Sequence, residues 1–261
     1  MDKSDIPRFA QRQLADYDAH HPGLIFEQDA GLLSIADAYT LQIEVAQLRQ
    51  ARGEELAGYK IGCLSAAVRR QLGLDEAVFG HVHATEVYPD RTTLDTATFD
   101  GLAIEGEFAV RLSADIPDPA SLEQAPREFV ESVFPVIELH NYVFRGSSPS
   151  APELIGNNAL NAGAVIGNVE PALLEPDQLL AETISVLIND ELVGAADAGA
   201  ISGGPLASLV HLAKRLHSFG IHPRKGQILL TGSPLPLYRL NAGDHIQVQC
   251  PNLGGVEARV K

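Results

Sequence analysis

The sequence predicts an α+β protein in which a helical N-terminal segment, residues 1–57, leads into one β-rich catalytic domain over residues 58–261. Two observations carry this. Apolar residues first recur at helical spacing, and from Gly58 onward they fall into short runs separated by Gly, Pro, Asn and Asp, the texture of strands and turns. Internal repeats, low-complexity tracts and long linkers are absent, so the helical front belongs to the same compact unit.

Residues 6–19 read as an amphipathic helix, and Ser34 is a good N-cap for a second one. Ile35, Ala38, Tyr39, Ile43, Ala46 and Leu48 carry that helix until Gly53 ends it. Strands are expected at residues 59–63, 104–112, 132–139, 164–166, 183–188, 191–195, 227–230, 245–249 and 256–260. Asn189-Asp190 fits a tight hairpin turn between two of them. One helix, residues 205–219, interrupts the second half, with Gly220 as its expected C-cap.

A chain of 261 residues buries a substantial core, and its net charge of -15 argues against a nucleic-acid partner, which needs concentrated Lys and Arg. Cys63 and Cys250 are too few and too far apart for a metal quartet or a disulfide framework and read as reduced core residues. The opening MDKSDIPRFAQRQLADYDAH is polar and amphipathic, without the apolar run of a signal peptide or membrane span, which points to a cytoplasmic protein.

The chemistry concentrates in LAIEGEFAVRL. Glu105 and Glu107 stand two apart in a strand, so both carboxylates project from one face. Like charges that close repel unless a cation joins them. Glu138, near the end of VFPVIEL, is a third acid among apolar residues, where burial without a counter-charge is costly. Three carboxylates favour a hard, oxygen-seeking ion, Mg²⁺ or Mn²⁺ rather than Zn²⁺. The spacing alone equally fits the wet face of an edge strand with Glu138 as a surface acid.

Further on, Thr231-Gly232-Ser233 follows an apolar strand and offers hydroxyls and backbone N–H groups to a substrate carboxylate, or forms a plain turn. Asn157-Asn158 could bind substrate or shape a turn. Histidine as a residue type titrates near neutral pH, yet His81, His83 and His140 are left outside the expected site, His81 and His83 reading as packing or surface residues. A lone lysine such as Lys60 is ordinarily a solvated surface residue. Here Gly58 and Gly62 flank it and permit close approach of backbone or ligand.

At these residues the chain resembles the fumarylacetoacetate hydrolase superfamily, in its 2-oxopent-4-enoate (2-hydroxypenta-2,4-dienoate) hydratase and 4-oxalocrotonate decarboxylase branch. The similarity runs in order through DAYTLQ, GYKIG, Phe79-Gly80, IEGEFAVRL, PVIEL, GGPLASLVHLAKRL, ILLTGS and AGDHIQVQCPNLGGVEARV. It implies mixed strands rolled into a sandwich-like barrel with helices outside, a homo-oligomer, and a metal held by Glu105, Glu107 and Glu138. It makes Lys60 the active-site lysine and a small 2-oxo or 2-hydroxydienoic acid the partner; Asn158, the retained member of an Asp-Asn-like pair, joins Thr231, Gly232 and Ser233 as the expected substrate contacts.

Two departures bear on the reaction. Hydratases of this family are expected to carry an acid just before the Phe-Gly pair, where this chain has Ala77-Val78, and LHNYVFRG replaces an Asp-Ser-Arg-like stretch after Glu138. A metal that chelates the substrate's C1 carboxylate and C2 oxygen serves hydration and decarboxylation alike. The order of expectation is a metal-dependent hydratase, then a 4-oxalocrotonate-type decarboxylase, then a carbon–carbon hydrolase. A catalytically idle metal-binding homologue or partner subunit is the reading of another class.

Overall fold

The structure, a computed structural model, describes residues 5–28, 33–144, 150–167, 174–201 and 203–261; the N-terminal Met1 and the Arg145-Gly146 end of LHNYVFRG lie outside them. The helical front forms where the apolar spacing places it. Helix α1 (Ile6–Asp18) is followed by the short α2 (Ile25–Gln28) and by α3 (Ile35–Ala51). Ser34 caps α3 by accepting the Asp37 N–H at 3.2 Å, and Gly53 turns the chain after it at φ +96°. Ile6, Phe9, Phe26, Leu41 and Val45 make a small core of their own. Tyr39, on another face of α3, enters the main core and stacks on Phe79 with ring centroids 4.9 Å apart. The buried stripe differs from the expected one: Leu41 and Val45 are buried while Ile43 and Leu48 are half-buried, because α1 and α6 cover α3 from two sides.

Strand β1 (Leu56–Gly62) begins within the stretch expected to be helical, and α4 (Ala66–Leu72) separates it from β2 (Val78–His83), β3 (Val87–Pro89) and β4 (Thr92–Leu94). The long strands β5 (Leu102–Leu112) and β6 (Val130–Asn141) flank α5 (Pro119–Gln124). Then come α6 (Ala151–Gly156), β7 (Asn161–Ile166), α7 (Pro176–Leu180), β8 (Thr183–Ile188) and β9 (Glu191–Asp197). Helix α8 (Gly204–His217) precedes β10 (Ile228–Leu230), β11 (Tyr238–Arg239), β12 (His245–Cys250) and β13 (Gly254–Val260).

One sheet runs β2-β1-β10-β5-β6-β7-β3, with β11 also on β5, and curls so that β2 approaches β7; the other runs β4-β13-β12-β8-β9. The β8–β9 hairpin turns on Asn189 and Asp190, at φ +54° and +65°, the left-handed pair that matches strand twist. Helix α8 ends at Ser218 rather than at the expected Gly220 cap; Gly220, at φ +71°, lies two residues beyond, its N–H bonded to the His217 carbonyl.

The sheets meet over Ile104, Phe108, Ile137, Val186, Ile246 and Val248, all almost fully buried. A Cβ at Gly106 would lie 2.5 Å from Val186 Cγ2, so only glycine admits the second sheet there. Because alternate residues face opposite ways, this contact turns Glu105 and Glu107 toward the concave face of the first sheet. Gly58 is tighter still: a Cβ would stand 1.8 Å from the Ile228 carbonyl oxygen on β10. Gly58→Ala should therefore lower unfolding free energy by more than ~3 kcal/mol, read by urea titration. A loss below about 1 kcal/mol would show that β1 shifts freely. Among the described residues no helix is long and apolar enough to cross a membrane.

Candidate active site

β5 lies inside its sheet, not at an edge, and its antiparallel pairing with β6 sets Glu105 opposite Glu138, Glu107 opposite Val136 and Ala103 opposite His140. Directly paired residues share a face, so three carboxylates and one imidazole converge on the concave side. Donor atoms of Glu105, Glu138 and His140 lie within 4.8 Å of one another. His140 Nε2 stands 3.4 Å from Glu105 Oε2 and 3.6 Å from Glu138 Oε2. Glu107 lies beside this cluster against Glu138, its Oε2 accepting the Gly232 N–H at 3.0 Å.

Lys60 reaches the same point from β1, two strands away, because β10 pairs with both β1 and β5. Its Nζ is 3.1 Å from Glu138 Oε1, and both side chains are almost wholly buried. Gly62 keeps the space beside it open, since a Cβ there would come within 3.4 Å of Lys60 Nζ. Asn161 Nδ2 donates to the same Glu138 oxygen at 2.8 Å.

The charges are shared unequally. Burial lowers the Lys60 pKa, but Glu138, then Glu105 and Glu107, more than offset this and keep the ammonium charged. Burial, then the Glu138 and Glu105 charges, hold Glu107 well above the usual carboxylate range. On Glu138 burial acts the same way, yet Lys60 and then His140 bring it below that range. Without an added cation, Glu107 is the acid that keeps a proton.

Glu107 Oε1, Glu138 Oε2 and both ring nitrogens of His140 are buried with no hydrogen-bond partner among the described residues. Orphaned buried acceptors of this kind are rare and costly. One divalent cation would satisfy Glu138 and His140 Nε2 together with Glu105, with Glu107 beside them, and an oxygen-dominated donor set with one imidazole suits Mg²⁺ or Mn²⁺. The residues fit such an ion.

Glu105, the outermost acid with 23% of its side chain exposed, opens with His140 and Lys60 onto a cavity of ≈ 770 Å³. Leu64, Val78, Leu154 and Leu160 make much of its carbon wall. A second cavity, ≈ 830 Å³, lies among α5, α7 and α8, away from the carboxylates.

The remaining expected contacts divide. Gly232 and Ser233 line the cavity, but Ser233 Oγ donates to the Gly106 carbonyl at 2.9 Å and the buried Thr231 Oγ1 donates to the Phe108 carbonyl at 2.7 Å. Both hydroxyls fasten this turn to β5, and its described link to the acids is the Gly232 N–H. Asn158 is committed to the sheet: its Oδ1 accepts the His81 N–H at 2.7 Å and its Nδ2 donates to the His81 carbonyl at 2.8 Å. It ties β2 to the turn between α6 and β7, where Asn158, Ala159 and Leu160 all take positive φ. Cys250 is a core thiol, pushed up to about 12 by burial and then Glu182. Cys63 departs from the core expectation: half-buried, at φ +57°, it lines the cavity where the chain leaves β1.

His140 is the donor that the sequence reading set aside. Its signal was present, since it stands two residues after Glu138 on one strand and hence on the same face. His81 and His83 are buried on β2. Burial, then His83, lowers the His81 pKa from 6.5 to about 3. Between those values only the unfolded chain takes the proton, so stability falls as pH drops through that window. His81 should account for about 3 kcal/mol of loss between pH 7 and pH 4, and His81→Gln should remove most of that slope in urea titrations. Parallel slopes would overturn the assignment.

The chain is 28% identical over 227 residues to a 4-oxalocrotonate decarboxylase of Pseudomonas putida, covering 87% of this chain and 86% of that one. It is 28% identical over 247 residues to a 2-hydroxyhexa-2,4-dienoate hydratase of Comamonas testosteroni, covering 93% and 89%. The solved 4-oxalocrotonate decarboxylase of Pseudomonas putida G7, complexed with magnesium and adipate, shares the fold at a TM-score of 0.90 and 24% identity, covering 100% of this chain and 99% of that chain. With residues 66–261 matching the model of the fumarylacetoacetate (FAA) hydrolase C-terminal family, and with the paired carboxylates on its curled sheet, the chain belongs to that family.

Proposed function

We propose that this protein is a divalent-metal-dependent hydro-lyase that hydrates a 2-hydroxydienoate or 2-oxoalkenoate such as 2-oxopent-4-enoate, a small acid of the kind met in aromatic-compound catabolism. One observation carries the proposal: half-buried Glu105, buried Glu107 and Glu138, and His140 converge beside a charged, buried Lys60 on a largely carbon-walled cavity. Glu105, Glu107 and Glu138 would hold Mg²⁺ or Mn²⁺, with His140 as a further donor. Such an ion, when bound, supplies positive charge where a 2-oxo acid's C1 carboxylate and C2 oxygen gather negative charge.

The chain's own residues do the rest. Lys60 carries a proton at Nζ next to Glu138 and is placed to move it to or from the substrate. The Gly232 N–H fixes the Glu107 carboxyl. Leu154 and Leu160 hold the substrate's carbon chain and limit the water that reaches it.

A second reading, decarboxylation of a 4-oxalocrotonate-type acid, is favoured by Val78. It lines the cavity with carbon at the position where an acid was expected to handle water. In that reaction the bond to the leaving carboxylate breaks, its electron pair enters the conjugated 2-oxo system, and Lys60 returns a proton to carbon.

The test incubates metal-stripped protein with 2-hydroxypenta-2,4-dienoate and, separately, with 4-oxalocrotonate, with and without Mg²⁺ or Mn²⁺, following ultraviolet absorbance and product mass. Metal-dependent water addition to the first supports the hydratase; metal-dependent CO₂ loss from the second replaces it with the decarboxylase. Metal binding with no turnover of either identifies an idle homologue. The same reading makes the protein a cytoplasmic homo-oligomer; exposed Leu192 and Val193 on the edge strand β9 support the assembly, which sedimentation tests.

A further inference from the structure

One polar side chain is buried against the carboxylates yet takes no part in the chemistry proposed for them. Asn161, 1% exposed, opens β7. Regular pairing would turn it away from the acids. Strands β6 and β7 set Glu138 opposite Ala164 and Leu139 opposite Gly163, an order that would next place Ala162 opposite His140. His140 instead pairs with Asn161, and Ala162 is the extra residue of a bulge. That step of one residue brings the Asn161 side chain onto the face that Glu138 and His140 share. Gly163 permits it, at φ +112°, where a Cβ would stand 2.1 Å from the Glu86 carbonyl oxygen.

The amide fits only one way round. Asn161 Oδ1 accepts the Gly163 N–H at 3.1 Å, closing a turn on its own backbone, and Nδ2 donates to Glu138 Oε1 at 2.8 Å. A flipped amide would set donor against donor at one end and oxygen against carboxylate at the other. Lys60 Nζ, at 3.1 Å, takes the remaining acceptor site of the same Oε1. Glu138 is thereby left with Oε2 bare among the described residues and 3.6 Å from His140 Nε2. Glu107 is divided in the same way, with Oε2 tied to the Gly232 N–H and Oε1 without a partner among the described residues.

Lys60 alone would not enforce this division. An ammonium on a flexible stem can follow either oxygen, and the last torsion of a glutamate is broad and two-fold. A planar amide fastened at both ends cannot follow. We infer that Asn161 is a positioning residue: by holding Oε1 of Glu138 it fixes the carboxylate so that Oε2 is presented to a divalent cation shared with Glu105 and His140. The inference rests on the metal proposed at this cluster and holds whichever reaction the protein performs.

Calorimetry of Mn²⁺ binding to the metal-stripped whole chain tests it in wild type, Glu138→Gln, Asn161→Ala and Asn161→Ser, with urea titration of each variant. Serine keeps an acceptor for the Gly163 N–H but ends short of Glu138. Both Asn161 variants should bind Mn²⁺ about 10- to 100-fold more weakly than wild type, the loss usual for a group that orients a ligand. Asn161→Ser should regain stability lost in Asn161→Ala without regaining affinity. A residue that only shapes the bulge would leave Asn161→Ser with wild-type affinity, and that result overturns the inference, as does wild-type affinity in Asn161→Ala. In either case weak binding by Glu138→Gln shows that the metal reading stands and the role of Asn161 alone fails. No Mn²⁺ binding by wild type, or equal binding by Glu138→Gln, overturns both.

Discussion

Glu138→Gln should bind Mn²⁺ or Mg²⁺ more than about 100-fold more weakly than wild type, beyond the 10- to 100-fold usual for losing a group that only supports a ligand. Turnover should fall below detection. The variant keeps the shape of the side chain and its place opposite Glu105 on β5, so the lost property is charge. It removes the charge from a group whose Oε2 is buried without a partner among the described residues and whose Oε1 receives both Lys60 and Asn161. Titration calorimetry on metal-stripped protein reads the affinity. Retention within about tenfold would mean that the ion sits elsewhere, since losing a direct ligand must cost at least as much as losing a supporting one.

Lys60→Met should destabilise the metal-free protein by about 3–5 kcal/mol, because it leaves buried carboxylates without their cation. A saturating concentration of Mg²⁺ or Mn²⁺ should narrow that deficit, since an ion held by Glu105, Glu107 and Glu138 supplies the missing positive charge and stabilises the folded state by mass action. Turnover should stay lost, because the ion does not replace a proton carried at Nζ. Urea titrations with and without metal distinguish the two effects. An equal deficit in both would show that Lys60 and the metal do not share the same carboxylates.

How much of this could be read in advance depends on the range of the interaction. Ser34, Gly53 and the Asn189-Asp190 turn were readable because a cap or a left-handed turn is decided by a few adjacent residues. Glu105 and Glu107 were readable as a pair because strand periodicity is local. Strand β2 was not, since VFGHVH is buried along its whole length and so lacks alternation. Short helices such as α4 and α6 were also missed, being fixed by packing rather than by a repeating apolar stripe. Asn158 was expected at the substrate from the family resemblance, its polarity alone fitting a turn as well. Its amide is spent on β2, a partner far away in sequence.

The sequence by itself determined the class of the fold, the helical front and the acidic strand pair, because each follows from spacing within a short stretch; it took the family resemblance to turn that pair and Glu138 into the expectation of a hard divalent ion. Only the tertiary structure decided that Glu105 faces Glu138 across β5 and β6, that Lys60 arrives from β1 to neutralise them, and that His140 joins the cluster. It also decided that Asn161 reaches Glu138 while Thr231 and Asn158 serve the backbone. The reason is physical: strand order and register bring together groups distant along the chain, and burial then decides which of them keeps a charge, a proton or an unused hydrogen bond.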